Sequence, residues 1–289
     1  WKKQGHGFMK LRNAIKQSCD IYFYETARLL GVDKLSIIAK RFGLGSKILD
    51  GIYSDEKKGL VPNTIWKKNA LETSWYLGET VINGIGQGYI QTTPLQLCLM
   101  TAQLANGGYK IKPHILYDDS INYKEVRKKI EDDLALNQKK FLTSNKDMLK
   151  EQEIKPYQRM YQNANNIKFV LEAMYASTNE MYGTSFKSRY EDIKYQFAGK
   201  TGTSQIRKIT DKERKLNLKQ SEIEYKRRDH ALYIAFAPYK DPRYSLSVHI
   251  EHGGSGSKAA APIARKIIKK TIDRHQIRNQ IRKRNIILT

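Results

Sequence analysis

The most informative stretch of the chain is Tyr195-Gln-Phe-Ala-Gly-Lys-Thr-Gly-Thr-Ser-Gln-Ile206. Its alternation of apolar and polar residues and its aromatic content predict a β-strand. Within it, Lys200 and Thr201 offer a charge and a hydroxyl that suit a carboxylate. Gly202 lacks the Cβ that would hold another backbone away. The stretch therefore predicts an exposed sheet edge along which an anionic, peptide-like ligand lies.

The composition is that of a globular protein with a strong positive charge. The chain has 289 residues, of which 40% are hydrophobic and 10% aromatic, and its formal net charge is +23 at pH 7. This composition argues against wholesale disorder and predicts one or two domains. The charge suits nucleic acid, an anionic membrane surface or an anionic polymer as a neighbour, and it equally suits a lysine-rich surface that is simply solvated.

Few features of the sequence indicate the cellular compartment of the protein. Cys19 and Cys98 are too few for a disulfide framework and leave the redox environment open. There is no run of about 18 apolar residues that predicts a transmembrane helix, and no signal peptide is visible. The sequence opens at Trp1 without an initiator methionine and reads as the middle of a domain. We therefore expect that an upstream part, with any membrane anchor, is missing.

Helical patterns dominate the first part of the chain. Residues 8–41 carry helical periodicity, with a helix over residues 21–30 that Asp20 caps and Gly31 ends. Residues 46–80 show no clear period and predict loops. A further helix over residues 95–105 has the signals of a capping box, namely Thr93, Pro94 and Gln96.

The remainder predicts a sheet and a terminal helix. Residues 117–165 predict a charged surface excursion and residues 167–182 a helix. Beyond the Lys200 strand, a charged loop over residues 207–228 precedes two strands joined as a hairpin, over residues 231–237 and 244–250, and a helix that starts at Ser257. The fold class is α+β: a mainly helical part over residues 1–182, an antiparallel sheet with the C-terminal helix over residues 190–275, and a basic tail over residues 276–289.

Ser18-Cys-Asp20 lies at a predicted junction between helices. A hydroxyl there suits a proton relay and the carboxylate suits the orientation of ligand amides. Serine and aspartate also suit a plain helix cap, whatever the function. The three residues alone do not separate these interpretations.

Three elements in order resemble the class B penicillin-binding proteins. They are Ser18-x-Asp20 between helices, Gly84-x-Gly-Gln-Gly88 before a capped helix, and Lys200-Thr-Gly-Thr203 on a strand. Their flanks are similar to those of the penicillin-binding protein 2 group, the D,D-transpeptidases of cell elongation, from His6 to about Lys269. The resemblance implies the penicillin-binding-protein/β-lactamase-like transpeptidase fold, an antiparallel sheet flanked by helices, with its N-terminal part missing.

The resemblance also implies roles for the residues of the strand. Lys200 and Thr201 would bind the carboxylate of a D-Ala-D-Ala stem peptide or of a β-lactam. Gly202 would let this ligand pair with the strand edge. The backbone N–H of Thr203 would be one donor of the oxyanion hole. Ser18 would relay protons, and Asp20, which stands where many relatives have Asn, would contact the ligand.

The family's attacking serine is not apparent. It belongs to an S-x-x-K element some tens of residues upstream of the second motif, and the 17 residues before Ser18 contain no serine. The literal match Ser54-Asp-Glu-Lys57 follows Ser18 in a charged loop and is taken as a coincidence. We expect the chain to lack its nucleophile, its general base and one oxyanion donor, and to be inactive alone.

His6 and Cys19 are candidate zinc ligands. Some relatives with a cysteine in the second motif hold zinc near it with the help of upstream carboxylates, whereas a structural zinc normally needs four ligands. The alternative is a packed cysteine and a surface histidine, and the proposed reaction requires no cofactor. His230, just before a strand, is interpreted as a hydrogen-bonded structural histidine.

A basic cluster marks the C-terminal helix. Its members are Arg265, Lys266, Lys269, Lys270, Arg274, Arg278, Arg282, Lys283 and Arg284. Because no aromatic residues are interleaved with them, a solvated or membrane-facing helix is preferred to one that binds nucleic acid.

Three functional hypotheses remain. The first is a peptidoglycan transpeptidase at the periplasmic side of the bacterial inner membrane, anchored by an absent N-terminal helix and partnered by the membrane glycosyltransferase of elongation. The second is a β-lactamase-like hydrolase or β-lactam sensor, in which the separation of Ser18 and Lys200 would be shorter. The third is a non-enzymatic basic binding domain for nucleic acid.

Overall fold

The computed structural model describes residues 2, 4–49, 52–115, 128, 158–206 and 222–287, with side chains up to residue 275. Most of the predicted excursion over 117–165 and of the loop over 207–228 lies outside these residues. The helices are α1 (Leu11–Gln17), α2 (Asp20–Leu30), α3 (Val32–Arg41), α4 (Thr64–Leu71), α5 (Leu77–Asn83), α6 (Pro94–Ala105), α7 (Ala164–Asn179) and α8 (Ala261–Ile287). The strands are β1 (Ala198–Ser204), β2 (His230–Ala237) and β3 (Tyr244–Ile250).

The three strands form one antiparallel sheet in the order β1-β2-β3. Side chains on β2 alternate between its two faces, as a strand requires. Tyr233 and Ala235 belong to a buried cluster with Ile268 of α8. Phe236 packs on the other face with Met174 of α7. Because helices cover both faces, the predicted α+β fold with an antiparallel sheet flanked by helices is confirmed.

The helical periodicity over residues 8–41 is confirmed as α1, α2 and α3, but the predicted cap of α2 is off by one residue. Cys19, in extended conformation, is the N-cap, and Asp20 lies in the first turn of the helix. A carboxylate in that turn is favourable because it meets the positive end of the helix dipole. The prediction that Gly31 ends α2 is correct, since Gly31 is its C-cap with φ +79.

The expectation that residues 46–80 form loops is wrong, because α4 and the start of α5 lie there. Asn63 caps α4 by accepting a hydrogen bond from the backbone N–H of Trp66 at 2.7 Å. Lys67 is only 3% exposed and donates to Glu79 of α5 at 2.6 Å. A lysine in the core hides the helical period, since the pattern treats it as a solvent-facing residue.

The capping box of α6 is confirmed. The Thr93 hydroxyl accepts from the backbone N–H of Gln96 at 3.2 Å, and the Gln96 side chain accepts from the backbone N–H of Thr93 at 3.2 Å. The helix predicted over residues 167–182 is shifted, since α7 begins three residues earlier behind the cap Asn163 and ends at Asn179.

The predicted strand over residues 195–206 is shorter in the structure, because Ile193–Tyr195 form a 3-10 turn and β1 begins at Ala198. The hairpin of β2 and β3 is as predicted. A turn of π-helix over Gly256–Ala260 leads into α8, which reaches Ile287 and so includes most of the residues assigned to the basic tail. None of the helices in the described part of the chain has both the length and the apolar run needed to cross a membrane.

Candidate active site

Lys200 and Ser18, which are 182 residues apart, meet at the start of β1. The ammonium of Lys200 donates to Ser18 Oγ and, at 3.0 Å, to the carbonyl oxygen of Thr201. Ser18 ends α1 in the left-handed conformation, with φ 51 and ψ 61. A non-glycine residue pays about 1–2 kcal/mol for this conformation. The sharp turn between α1 and α2 brings the hydroxyl to the strand, so the sequence expectation that these two residues share a site holds geometrically.

Two opposing influences set the charge of Lys200. Burial lowers the pKa of Lys200 to about 8, and the negative charge of Asp20 in the first turn of α2 opposes this shift. An ammonium with such a pKa is still largely protonated at neutral pH but gives up its proton far more easily than a lysine in water. The pair of Lys200 and Ser18 can therefore both attract a carboxylate and pass a proton along a hydrogen bond.

The Thr201 hydroxyl is tied to the end of α7. It donates to Thr184 Oγ1 at 3.0 Å, and Thr184 Oγ1 is 3.1 Å from Ser177 Oγ. The backbone N–H of Thr184 donates to the carbonyl oxygen of Lys16 at 3.2 Å, two residues before Ser18. Thr184 therefore joins both sides of the site. The sequence analysis missed it, since nothing in its local pattern distinguishes it from a turn residue.

β1 lies at an edge of the sheet and pairs only with β2 among the described strands. The carbonyl oxygen of Thr203 accepts from the side chain of Gln87 at 2.7 Å, so this group faces away from β2. In an antiparallel pair the N–H and C=O of one residue point to the same side. The Thr203 N–H therefore also faces outward, as a donor to a ligand at this edge must.

Packing within the fold favours a glycine at position 202, which the sequence alone does not reveal. A Cβ at Gly202 would lie 3.3 Å from Cβ of Leu232, its partner on β2. On the same part of the sheet, Gly256 lies so close to the backbone of Gly202 and Leu232 that it has no room for a Cβ. The close neighbours of Gly202 are therefore Leu232 and Gly256 of this chain. The role of Gly202 toward a ligand stays a prediction.

Comparison with known proteins identifies the family. The model for the penicillin-binding protein transpeptidase domain matches residues 1–269. The chain belongs to this family. It is 33% identical over 274 residues to the peptidoglycan D,D-transpeptidase MrdA of Salmonella typhimurium, with 94% of this chain and 40% of the relative covered. It is 29% identical over 271 residues to the Escherichia coli protein of the same name, with 93% and 38% covered.

Solved structures agree with this assignment. The chain superposes on penicillin-binding protein PBP2 of Helicobacter pylori, in a complex with MreC, with a TM-score of 0.71 and 29% identity. The match to PBP2 of Pseudomonas aeruginosa in complex with WCK 5153 has a TM-score of 0.68 and 32% identity. In each case 94% of this chain is covered, against 42% and 50% of the other chain. The resemblance to class B penicillin-binding proteins is confirmed, and the chain spans about two fifths of the length of the curated relatives.

The Ser54-x-x-Lys57 match of this transpeptidase-family chain lacks the helix that would activate its serine. Ser54 lies in a turn and Lys57 in the irregular segment that follows, and both are exposed. A serine nucleophile of this kind needs a nearby base and a helix N-terminus to activate it. The interpretation of Ser54-x-x-Lys57 as a coincidence agrees with this placement.

The zinc site stays a prediction. Cys19 is buried, with 5% of its surface exposed, and His6 lies before α1. Burial, followed by the charge of Lys2, lowers the pKa of His6, and Asp20 opposes this shift. No group of three or more metal-binding side chains is placed to hold an ion within the residues that the structure describes.

Gln87 is the second site residue that the sequence analysis missed. The segment Gly84–Gly88 served only as a family marker, yet the side chain of Gln87 contacts the end of β1 at both Thr203 and Gln205. A glutamine between two glycines is a weak sequence signal. Gln87 and Thr203 are 116 residues apart in the chain, so the sequence alone does not predict their contact.

His230 is a structural histidine, as predicted. Its Nδ1 accepts from the backbone N–H of His252 at 2.9 Å, and its ring packs edge-on against the rings of His249 and His252.

Proposed function

We propose that this chain forms the substrate-binding half of the active site of a serine peptidoglycan D,D-transpeptidase of the elongation type. The observation that carries the proposal is the contact of Lys200 with Ser18 at the open edge of β1. Membership of the transpeptidase family supports the reaction class, and relatives of this chain are named peptidoglycan D,D-transpeptidases.

The proposed ligand is a stem peptide that ends in D-Ala-D-Ala, or a β-lactam. Its carboxylate accepts from the ammonium of Lys200 and from the hydroxyl of Thr201, which turns its proton from Thr184 to the ligand. The ligand backbone lies along the outer edge of β1. Asp20 contacts its amides. The Thr203 N–H donates to the carbonyl oxygen that becomes negative in the transition state.

The proposed reaction proceeds in two acyl transfers. A serine Oγ attacks the penultimate carbonyl carbon, the C–N bond to the terminal D-alanine breaks, and the leaving amine takes up a proton through Ser18 and Lys200. An acceptor amine of a second stem peptide then attacks the acyl-enzyme. The new amide bond forms, the serine oxygen leaves, and the proton of the amine returns through the same relay.

We infer that the attacking serine comes from residues other than the 289 of this sequence. Ser54, which has the S-x-x-K spacing with Lys57, is exposed in a turn and lies on no helix. This chain covers about two fifths of its curated relatives, which supports a longer natural protein.

The cellular setting is also a proposal. We place the natural protein at the periplasmic side of the inner membrane, anchored by an N-terminal helix and working with the membrane glycosyltransferase of elongation. PBP2 of Helicobacter pylori forms a complex with MreC. We extend such a partner to the natural protein on the basis of that structural similarity.

The test is covalent labelling of the full-length natural protein with a fluorescent penicillin. Hydrogen bonds to a charged group are worth about 1.5–3 kcal/mol, so Lys200→Ala is expected to slow labelling about 10-fold to 100-fold. Ser54→Ala is the control and is expected to label like the wild type. Mass spectrometry of the labelled peptide is expected to place the adduct outside this sequence. A wild-type protein that never labels, or an adduct on Ser54, contradicts the proposal.

The basic binding domain is tested with the same preparation. It predicts a gel shift with DNA that weakens steeply as salt increases, because binding to phosphates releases counterions. A strong shift from a protein that takes no penicillin would favour this hypothesis over the transpeptidase.

A further inference from the structure

The carboxamide of Gln87 binds two backbone groups at the outer edge of β1. Its Nε2 donates to the carbonyl oxygen of Thr203 at 2.7 Å, and its Oε1 accepts from the backbone N–H of Gln205 at 3.3 Å. This donor and acceptor stand in for the N–H and C=O of one residue of a neighbouring parallel strand, which would bridge the C=O of Thr203 and the N–H of Gln205 in the same way. The side chain thus pairs with the end of β1 as an extra strand would.

The turn that carries Gln87 is firmly held. Gly86 and Gly88 on either side have φ of +77 and +82, a conformation that glycine adopts at little cost. The backbone N–H of Gln87 donates to the carbonyl oxygen of Ile82 at 3.2 Å, which fixes the turn to the end of α5. Because the backbone of this turn is fixed, the Gln87 side chain loses little conformational entropy when it binds β1.

The same turn is connected to the Ser18 side of the site. Gly84, at the end of α5, leaves no room for a Cβ against Ala27 of α2, so the two helices are in close contact. α2 begins at Asp20, two residues after Ser18. Residues that flank the packed α2–α5 pair therefore contact β1 at two places: Ser18, before α2, meets Lys200, and Gln87, after α5, meets Thr203.

We propose that Gln87 is a positioning residue for the acyl transfer. By holding the Thr203 carbonyl and the Gln205 N–H, it keeps the strand extended through Thr203, and the Thr203 N–H on the same side stays aimed at the reacting carbonyl oxygen. The Thr203 carbonyl oxygen has a second lone pair, so a ligand N–H can bind it without displacing Gln87. This inference rests on the proposed function.

The test measures acylation of the full-length natural protein by a fluorescent penicillin over a range of concentrations, which separates the dissociation constant from the first-order acylation rate constant. Gln87→Glu keeps the size but loses the donor and places a carboxylate against the Thr203 carbonyl. Gln87→Ala removes both contacts. Each is expected to lower the rate constant about 10-fold to 100-fold, since small errors in alignment have effects of this size, with a smaller change in the dissociation constant.

The matched control is Gln91→Glu. Gln91 lies four residues further along the same segment, its side chain is exposed, and its backbone N–H and C=O pair with Leu60 at 2.9 and 2.8 Å. It is expected to acylate like the wild type. Hydrogen exchange provides a readout that does not depend on activity: Gln87→Ala is expected to speed exchange of the Gln205 amide and to leave the amides of β2 unchanged.

The outcomes separate the two proposals. A wild-type protein that takes no label overturns the proposed function and, with it, the role of Gln87 in transfer. A wild-type protein that labels while both Gln87 variants keep its rate constant overturns only the role of Gln87. A variant that labels at the wild-type rate but to a lower final extent has merely lost folded protein, and this result also overturns a positioning role.

Discussion

The charge of Lys200 depends strongly on its surroundings. Burial lowers its pKa to about 8, and Asp20 raises it. Removal of that negative charge by Asp20→Asn is therefore expected to lower the pKa of Lys200 further. Because the protonated form binds the ligand carboxylate, the affinity of the natural protein for a β-lactam is expected to fall above about pH 8, and to fall at a lower pH in Asp20→Asn.

The measurement is the dissociation constant of the β-lactam from about pH 6 to about pH 10, a range that brackets the titration of Lys200. Asp33→Asn is the control. Asp33 of α3 accepts hydrogen bonds from Thr64 of α4, and this variant is expected to keep the wild-type profile. An affinity that is constant over this range, or a midpoint that moves upward in Asp20→Asn, contradicts the assignment.

His230 makes folding sensitive to pH. Burial, followed by the charges of His249 and His252, lowers its pKa, whereas Glu251 and Asp229 oppose the shift. The unfolded chain takes up a proton at about pH 6.5 and the folded chain resists it until a lower pH. The stability from neutral His230 is therefore present above about pH 6.5 and is lost as the pH falls below it.

The variant His230→Asn tests this dependence. Asparagine offers an acceptor near the position of Nδ1, so it keeps a partner for the backbone N–H of His252, but it does not titrate. The Tm of the variant is expected to vary less than that of the wild type between about pH 7 and about pH 5. Exposed His114, which is not among the groups that shift the pKa of His230, supplies the control variant, His114→Asn, which is expected to keep the wild-type slope. Equal slopes for wild type and His230→Asn would rule out this source of the pH dependence.

At the scale of elements, α4 and α5 are held together by an ion pair whose lysine is buried and whose carboxylate is partly exposed. Lys67 Nζ lies 2.6 and 2.8 Å from the two oxygens of Glu79 and 4.4 Å from the centre of the Tyr76 ring. Glu79→Gln leaves the lysine charge buried without its partner charge. Such a change typically costs about 3 kcal/mol or more.

We expect Glu79→Gln to lower the Tm, and Lys67→Met/Glu79→Leu, which removes both charges, to lower it less. Differential scanning calorimetry of the three proteins measures the order. A double variant that is less stable than Glu79→Gln would show that the pair itself, rather than the unpaired charge, dominates the effect.

The elements that the sequence predicted are those with local signals. The capping box of Thr93 and Gln96 is contained within four residues, and the β2–β3 hairpin has its turn between two alternating strands. In contrast, α4 depends on Lys67 being buried by a partner twelve residues further on. A pattern that assigns lysine to solvent cannot show that helix.

The residues of the candidate site also divide into those that the sequence identifies and those that only the structure shows. Ser18 and Lys200 could be paired from the sequence because each lies in a motif that the family shares. Thr184 and Gln87 could not, because their contacts on Thr201 and Thr203 are made by the tertiary fold. Residue type and spacing identify groups that react, whereas the groups that hold them in place are found from distances.

At the scale of the whole molecule, the site lies where the helical part meets the sheet. Ser18, Thr184 and Gln87 each reach β1 from the helical side. The relative placement of the two parts therefore decides whether the strand edge and the proton relay face the same ligand. Contacts that hold Ser18 in place against β1 are therefore expected to affect ligand binding even when they do not touch the ligand.

Within the helical part, Glu180, which follows α7, is a charged contact between α7 and α1, the helix that leads to Ser18. Its carboxylate accepts from Arg12 and, at 2.9 Å, from Lys16 of α1. The hydrogen bond from Arg12, together with that from Lys16, lowers the pKa of Glu180 from 4.5 to about 2 against the opposing effect of burial. The stability from this group is thus present above about pH 4.5 and is lost as the pH falls toward about 2.

Glu180→Gln is expected to lower the Tm at neutral pH and to weaken the fall in stability below about pH 4.5, since the variant has no proton to take up there. It is also expected to weaken β-lactam binding, because α1 ends at Ser18. The control Glu25→Gln removes an exposed pair with Arg28 on α2, which is worth little. Thermal melts across pH and penicillin affinity are measured on the same variants. A Glu180→Gln protein with the wild-type Tm would show that the carboxylate does not stabilise the packing of α1 against α7. A lowered Tm with unchanged affinity would show that Ser18 keeps its place without it.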